Sequence, residues 1–273
     1  MRTTLLDIRK MKAAGRRIPM LTAYDYAAAK IADRAGVPLL LVGDSLGMVM
    51  QGHETTLPVS LDDMVRHAAA VVRGSENAMV IADLPFLTYA DTASAVAAAR
   101  RLMQEAKVQA VKLEGGRHVA DTVRHLVQHG VPVMAHLGFT PQSQHTLGLR
   151  VQAKEAACAK RLIEDALALE AAGAFALVLE LVPAQLAAEV TKRLRIATIG
   201  IGAGAGCDGQ VQVWHDLLGL FETSPRHAKR YAEIGAAMEA AIRAYADDIG
   251  DGLFPTDAQS SQMDADELAK ALA

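Results

Sequence analysis

Residues 78–114 read AMVIADLPFLTYADTASAVAAARRLMQEAKVQAVKLE. A short apolar run at 78–82 leads through a helical pattern at 91–107 to a second run at 109–113. Short continuous runs rich in Val, Ile and Leu are what strands covered on both faces look like. A helix between two such strands makes a parallel βαβ unit. The unit repeats outward in both directions. Further strand-like runs lie at 19–22, 39–43, 132–136, 175–179, 196–200 and 210–214, and further helical patterns at 25–35, 61–73, 118–128, 154–172, 184–194 and 226–248. A doubly wound sheet fits the alternation, but eight strands over about 250 residues suit a (β/α)8 TIM barrel better. The expected architecture is a single domain over 1–255, with an N-terminal helix near 4–14 closing the barrel bottom. Residues 256–273 read as a loosely held tail with one short helix. Ser60 and either Asp91 or Thr92 are expected to cap helices, and Gly36, Gly74, Gly130 and Gly173 to end them in the left-handed region.

The composition excludes several classes. The chain has 273 residues, 51% hydrophobic and 22% charged, an ordinary globular balance. With 28 basic against 31 acidic residues the net charge is −3, which argues against nucleic acid as a partner. One Trp, five Tyr and five Phe are too few for a base-stacking platform. Cys158 and Cys207 have neither metal-ligand spacing nor a disulfide framework. His125 and His129 stand four apart on a helix without a third ligand and read as a solvated face. No secretory segment opens the chain and no apolar run approaches about 20 residues, so a soluble cytoplasmic protein is expected.

In a barrel the chemistry lies where strands end and loops begin. Here successive strand ends carry Asp44 and Ser45, then Asp83, then Lys112 and Glu114, then His136, then Glu180. One acidic residue at a strand end is ordinarily a turn former or helix cap. Five neighbouring ends aimed at one mouth are hard to read as independent accidents. Two Asp and one Glu offer oxygen donors to a hard cation such as Mg²⁺, which needs only one or two carboxylates plus substrate oxygens. The glycines at 200–204 are a poor dinucleotide fingerprint and read as a device for tight turning.

The segments LVGDSLGM (41–48), QGH (51–53), ADLPF (82–86), VKLEGG (111–116) and HLGFTPQS (136–143) resemble the ketopantoate hydroxymethyltransferase family. So do DALALE (165–170), LE (179–180), GIGAG (200–204) and DGQ (208–210). The resemblance runs in order from about residue 3 to residue 255 and implies a (β/α)8 barrel. It also implies hydroxymethyl transfer from 5,10-methylenetetrahydrofolate to 3-methyl-2-oxobutanoate, giving 2-dehydropantoate in pantothenate synthesis. Carried over by motif, Asp44 and Asp83 are ligands of one Mg²⁺ per subunit and contact the substrate, and Glu114 joins the metal site through water. Ser45 and Lys112 hold the ketoacid, His136 is a further contact, and Glu180 is the proton acceptor. The resemblance implies a homo-oligomer, often a decamer, and marks no folate-binding residues. One segment departs from the family pattern: where relatives carry paired glycines and Tyr-Lys, residues 144–152 read QHTLGLRVQ, one residue shorter.

Elementary chemistry agrees with these roles. Taking a proton from carbon beside a ketone at neutral pH requires a stabilised enolate, which Mg²⁺ chelated by the ketoacid provides as a Lewis acid. Lys112 adds a fixed positive charge, and Glu180, at the end of an apolar strand, stands where a general base belongs. The alternative is a Mg²⁺-dependent ketoacid lyase or mutase of the phosphoenolpyruvate mutase/isocitrate lyase type. A non-catalytic metabolite-binding barrel is the third reading, and the presence of all the ionisable groups argues against it.

Overall fold

The computed structural model describes residues 1–273. Its strands are β1 (Ile18–Thr22), β2 (Leu39–Val42), β3 (Met79–Asp83), β4 (Ala110–Glu114), β5 (Val133–Gly138), β6 (Ala176–Glu180), β7 (Ala197–Ile201) and β8 (Gly209–Gln212). They pair in parallel in chain order, and β8 closes on β1, as expected of the barrel. The longer helices are α1 (Leu5–Ala13), α2 (Tyr26–Arg34), α4 (Leu61–Gly74), α5 (Thr92–Gln104), α6 (Ala120–Gln128), α8 (Ala156–Ala171), α9 (Ala184–Arg193), α11 (Ile234–Gly250) and α12 (Ala265–Leu272). Short turns of helix make α3 (Leu46–Val49), α7 (Gln144–Leu147) and α10 (Trp214–Leu218).

The period of two along a strand sorts its residues between the barrel interior and the helix layer. Leu39, Met79, Ala110, Met134, Ala176 and Ala197 share one buried interior cluster with Ile8 and Met11 of α1. That helix therefore plugs the bottom, helped by a capping box between Thr4 and Asp7. The Arg2 guanidinium ties it down by donating to the carbonyls of Val72 and Ala78. A second cluster of 46 buried residues joins the outer faces of the strands to the helices. The interior stripes are apolar at the bottom and turn ionisable at the top: Met79 and Ile81 lead to Asp83, Ala110 to Lys112 and Glu114, Met134 to His136, and Val178 to Glu180.

Ser60 and Asp91 cap α4 and α5, accepting from the Asp63 and Ser94 amides. Gly36, Gly130 and Gly173 have positive φ past their helices. Gly74 does not, and its reason is different. A Cβ there would lie 2.4 Å from the Tyr26 carbonyl oxygen, so this glycine lets α4 lie against α2. The glycines at 200–204 build a helix-free crossover between β7 and β8. Gly202 and Gly204 have φ of +62° and +76°, and a Cβ on Gly204 would meet the Ala184 side chain at 2.4 Å. Beside this crossover a groove of about 950 Å³ opens, lined in part by Arg17, Pro19, Ala205, Gln210 and His227.

The helix expected at 226–248 is displaced. Gly219, left-handed at φ +62° and ψ +48°, ends α10, and the segment through Pro225 folds irregularly. The Arg230 guanidinium holds that segment by donating to the carbonyls of Phe221 and Glu222. Only at Ile234 does α11 begin, and none of its 17 residues is buried. Ile234, Met238, Ile242, Tyr245 and Ile249 form a seam along it, all exposed. The segment after α11 is exposed as well and carries α12 near its end. No helix is long and apolar enough to cross a membrane.

Candidate active site

Strand register builds the centre of the site. Asp83 on β3 lies beside Lys112 on β4, and the Lys112 ammonium donates to Asp83 Oδ1 at 2.6 Å. The other Asp83 oxygen accepts the backbone N–H of Asp44 at 3.1 Å. A Cβ on Gly43 would stand 2.9 Å from Ser45 Oγ, so the glycine leaves room for that hydroxyl. Ser45 Oγ is 2.8 Å from the hydroxyl of the buried Tyr24, two residues past β1. On the next pair of strands Glu114 faces His136 across the β4–β5 register. His136 stands between two carboxylates, with Nδ1 3.5 Å from Glu114 Oε1 and Nε2 3.3 Å from Glu180 Oε2. These are ion-pair separations, and neither ring nitrogen has a hydrogen-bond partner.

The structure thus gathers all seven expected residues at one mouth. Asp44, Asp83, Lys112, Glu114 and His136 are each at most 4% exposed. Glu180 differs, with its side chain 15% exposed, and so is the carboxylate that faces the opening.

Burial and crowding dominate the electrostatics. Burial, then the neighbouring charges of Asp83 and Glu114, push the Asp44 carboxyl well above the usual range for an aspartate. Burial opposes charge on Lys112, but Asp83, Glu114 and Asp44 outweigh it and hold the amine as an ammonium. Burial and Lys112 also oppose a proton on His136, yet Glu114 and Glu180 on its flanks raise it to about 9. The site is short of positive charge: Glu114 Oε1 is buried without a hydrogen-bond partner, and Asp44 bears the repulsion of two carboxylates. No three His, Cys, Asp or Glu side chains form a ready-made metal cage. An all-oxygen donor set of this kind fits a hard cation that keeps water and substrate oxygens in its shell.

Three residues at the site lie outside the sequence-level candidates. Gln142 occupies the loop after β5 and is 6% exposed. Its side-chain nitrogen donates to Asp44 Oδ2 at 2.8 Å and to the Leu84 carbonyl at 2.9 Å, and its backbone N–H donates to Glu114 Oε2 at 3.1 Å. Tyr89, in the β3–α5 loop, donates its hydroxyl to Gln142 Oε1 at 2.6 Å. Tyr24 is the third. The signals available were the TPQS segment at 140–143 and a tyrosine just past the first strand, but neither shows where its side chain points. The altered segment at 144–152 begins directly after this loop. It forms α7, turns at Gly148 with φ +66° and exposes Leu149, then rejoins the mouth where the Gln152 amide donates to the Leu181 carbonyl at 2.7 Å.

A closed parallel barrel with ionisable groups converging where its strands end defines a barrel enzyme with its chemistry at the C-terminal mouth. The family model described as ketopantoate hydroxymethyltransferase matches residues 2–257, and the chain belongs to that family. It is 69% identical over 273 residues to 3-methyl-2-oxobutanoate hydroxymethyltransferase of Gluconacetobacter diazotrophicus, covering 100% of this chain and 99% of the relative. The protein of that name from Chloroflexus aurantiacus is 61% identical, with 100% and 97% covered. Among solved structures, phosphonopyruvate hydrolase superposes with a TM-score of 0.64 at 13% identity, covering 100% of this chain and 95% of that one. The 2,3-dimethylmalate lyase of the PEP mutase/isocitrate lyase superfamily gives 0.59 at 18% identity, covering 99% and 98%. At such identities these two likenesses speak for the fold alone.

Proposed function

We propose that this protein transfers a hydroxymethyl group from 5,10-methylenetetrahydrofolate to 3-methyl-2-oxobutanoate. The product is 2-dehydropantoate, in the first committed step of pantothenate and coenzyme A synthesis. The observation that carries the chemistry is the division of labour among carboxylates: Asp44, Asp83 and Glu114 are sealed in beside Lys112, while Glu180 faces the opening.

Asp44 and Asp83 would hold Mg²⁺, with Glu114 acting through water, and the ion would lend Lewis-acid charge to the oxygens of the ketoacid. The Lys112 ammonium places a second, fixed positive charge beside the same pair of aspartates. Ser45, its hydroxyl held by Tyr24, and Lys112 orient the ketoacid carboxylate. Glu180 then takes the proton from C3, the carbon beside the ketone. His136, ion-paired to Glu180, keeps that carboxylate aimed for the task. The electron pair left on C3 attacks the one-carbon unit of the folate. One of the two C–N bonds to folate gives way to the new C–C bond and the other to water, which supplies the hydroxyl of the product. The two freed nitrogens take up the proton removed from C3 and one proton of that water.

The exposed seam of α11 supports a homo-oligomer, which family resemblance puts at a decamer. Two unpaired cysteines suit a reducing compartment such as the cytoplasm. The partners are small molecules, with neither nucleic acid nor membrane among them.

The test is product formation followed by NMR with ketoacid, Mg²⁺ and methylenetetrahydrofolate. 2-Dehydropantoate should form only when all three are present. Cleavage or rearrangement of a ketoacid without folate would instead support the Mg²⁺-dependent lyase or mutase reading.

A further inference from the structure

We propose that Gln142 is a positioning residue that sets the grip of the acidic cluster on its cation, and that Tyr89 locks Gln142 in the working orientation. The inference rests on the Mg²⁺-dependent reading above and adds two residues to it.

The geometry begins in the backbone. Gly138 ends β5 at φ +99°, and any Cβ there would collide with the Glu180 carbonyl at 2.1 Å. The chain therefore leaves β5 across the edge of β6, where the Phe139 amide donates to the Glu180 carbonyl at 2.8 Å. A 3₁₀ turn over Pro141–Ser143, started by proline, swings Gln142 back over the ends of β3 and β4. Its backbone N–H then meets Glu114, and its side chain meets Asp44.

The orientation of the amide is decided by its partners. One end lies within 2.9 Å of two acceptors, the Asp44 carboxylate and the Leu84 carbonyl, so that end is the NH₂ group. The carbonyl end then receives the Tyr89 hydroxyl. Gln142 thereby occupies one oxygen of Asp44 and one of Glu114, and leaves Glu114 Oε1 without a hydrogen-bond partner. Neutrality matters as well as shape. A glutamate at 142 would place a further negative charge directly against the Asp44 and Glu114 carboxylates. Partners one step removed from a metal ligand typically govern affinity or activity by about 10–100-fold.

The experiment uses the full-length protein and Mn²⁺ as the probe, with free Mn²⁺ counted by electron paramagnetic resonance. Wild type, Gln142→Met, Tyr89→Phe and Asp83→Asn are compared, alongside kcat, ketoacid KM and thermal midpoint. Gln142→Met, similar in length but without donors, should weaken Mn²⁺ binding about tenfold or more and raise ketoacid KM, with the midpoint shifted by only a few degrees. Tyr89→Phe should move both quantities the same way by a smaller factor. Wild-type Mn²⁺ affinity and KM in a folded Gln142→Met protein would overturn the inference while leaving the Mg²⁺ reading intact, provided Asp83→Asn abolishes binding. If Gln142→Met does not fold, unchanged Mn²⁺ binding in folded Tyr89→Phe overturns it. Equal binding by wild type and Asp83→Asn would overturn the metal reading and this inference together.

Discussion

Glu180 is the residue on which the proposed chemistry turns. It ends an apolar interior stripe, pairs with His136 at 3.3 Å, and keeps access to the mouth that the other carboxylates lack. Replacing it with glutamine keeps the shape and removes the base. Turnover should fall by about 10²–10⁴-fold while Mn²⁺ affinity stays at the wild-type value. Turnover near wild type would remove Glu180 from the base role. The residues on strands were legible because a strand's period of two makes side-chain direction computable from the sequence. Once Ile81 and Ala110 are placed inside, Asp83 and Lys112 must follow. Gln142 and Tyr24 were not legible in this way. Each lies beyond a strand end, where a glycine at positive φ or a local turn decides direction, and no period carries across such a turn.

At the scale of elements, one buried aspartate joins two layers of the fold. Asp33 in α2 accepts the backbone N–H groups of Glu76, Asn77 and Ala78 and the Asn77 side-chain amide, fastening the helix to the turn that feeds β3. Burial works against the charge, but the surrounding donors outweigh it and hold this carboxyl below its ordinary range. A depressed folded-state value means that the stabilisation is complete above the unfolded value near 4 and is lost as pH falls through the lower folded value. Asp33→Asn should therefore cost about 2 kcal/mol in urea unfolding at pH 7. The gap between variant and wild type should narrow below about pH 4, and a gap independent of pH would contradict the account. The element pattern itself was largely readable, down to the caps of α4 and α5. The error at 226–248 has a physical source: apolar spacing reports a helical face but does not show where the chain breaks. Gly219 in the left-handed region and the Arg230 contacts make that break.

The whole molecule presents a barrel followed by α11, a helix of 17 residues none of which is buried. The seam from Ile234 to Ile249 is the kind of continuous apolar surface that marks association. Charging it with Met238→Asp and Ile242→Asp should shift the particle to a smaller species in light scattering. An unchanged mass would show that the seam lies outside the oligomer contacts. The barrel could be read from repeated strand–helix units, whereas the use of α11 could not, because periodicity shows that a face is apolar but not what it meets. The central claim is that this barrel mouth enolises a ketoacid with a bound cation and Glu180. It is tested most directly by NMR of 3-methyl-2-oxobutanoate in D₂O, with enzyme and Mg²⁺ but without folate, following exchange at C3 in wild type and Glu180→Gln, each with and without EDTA. The account predicts exchange in wild type that EDTA abolishes and that Glu180→Gln reduces at least a hundredfold. Exchange that survives EDTA, or that proceeds equally in Glu180→Gln, would contradict it.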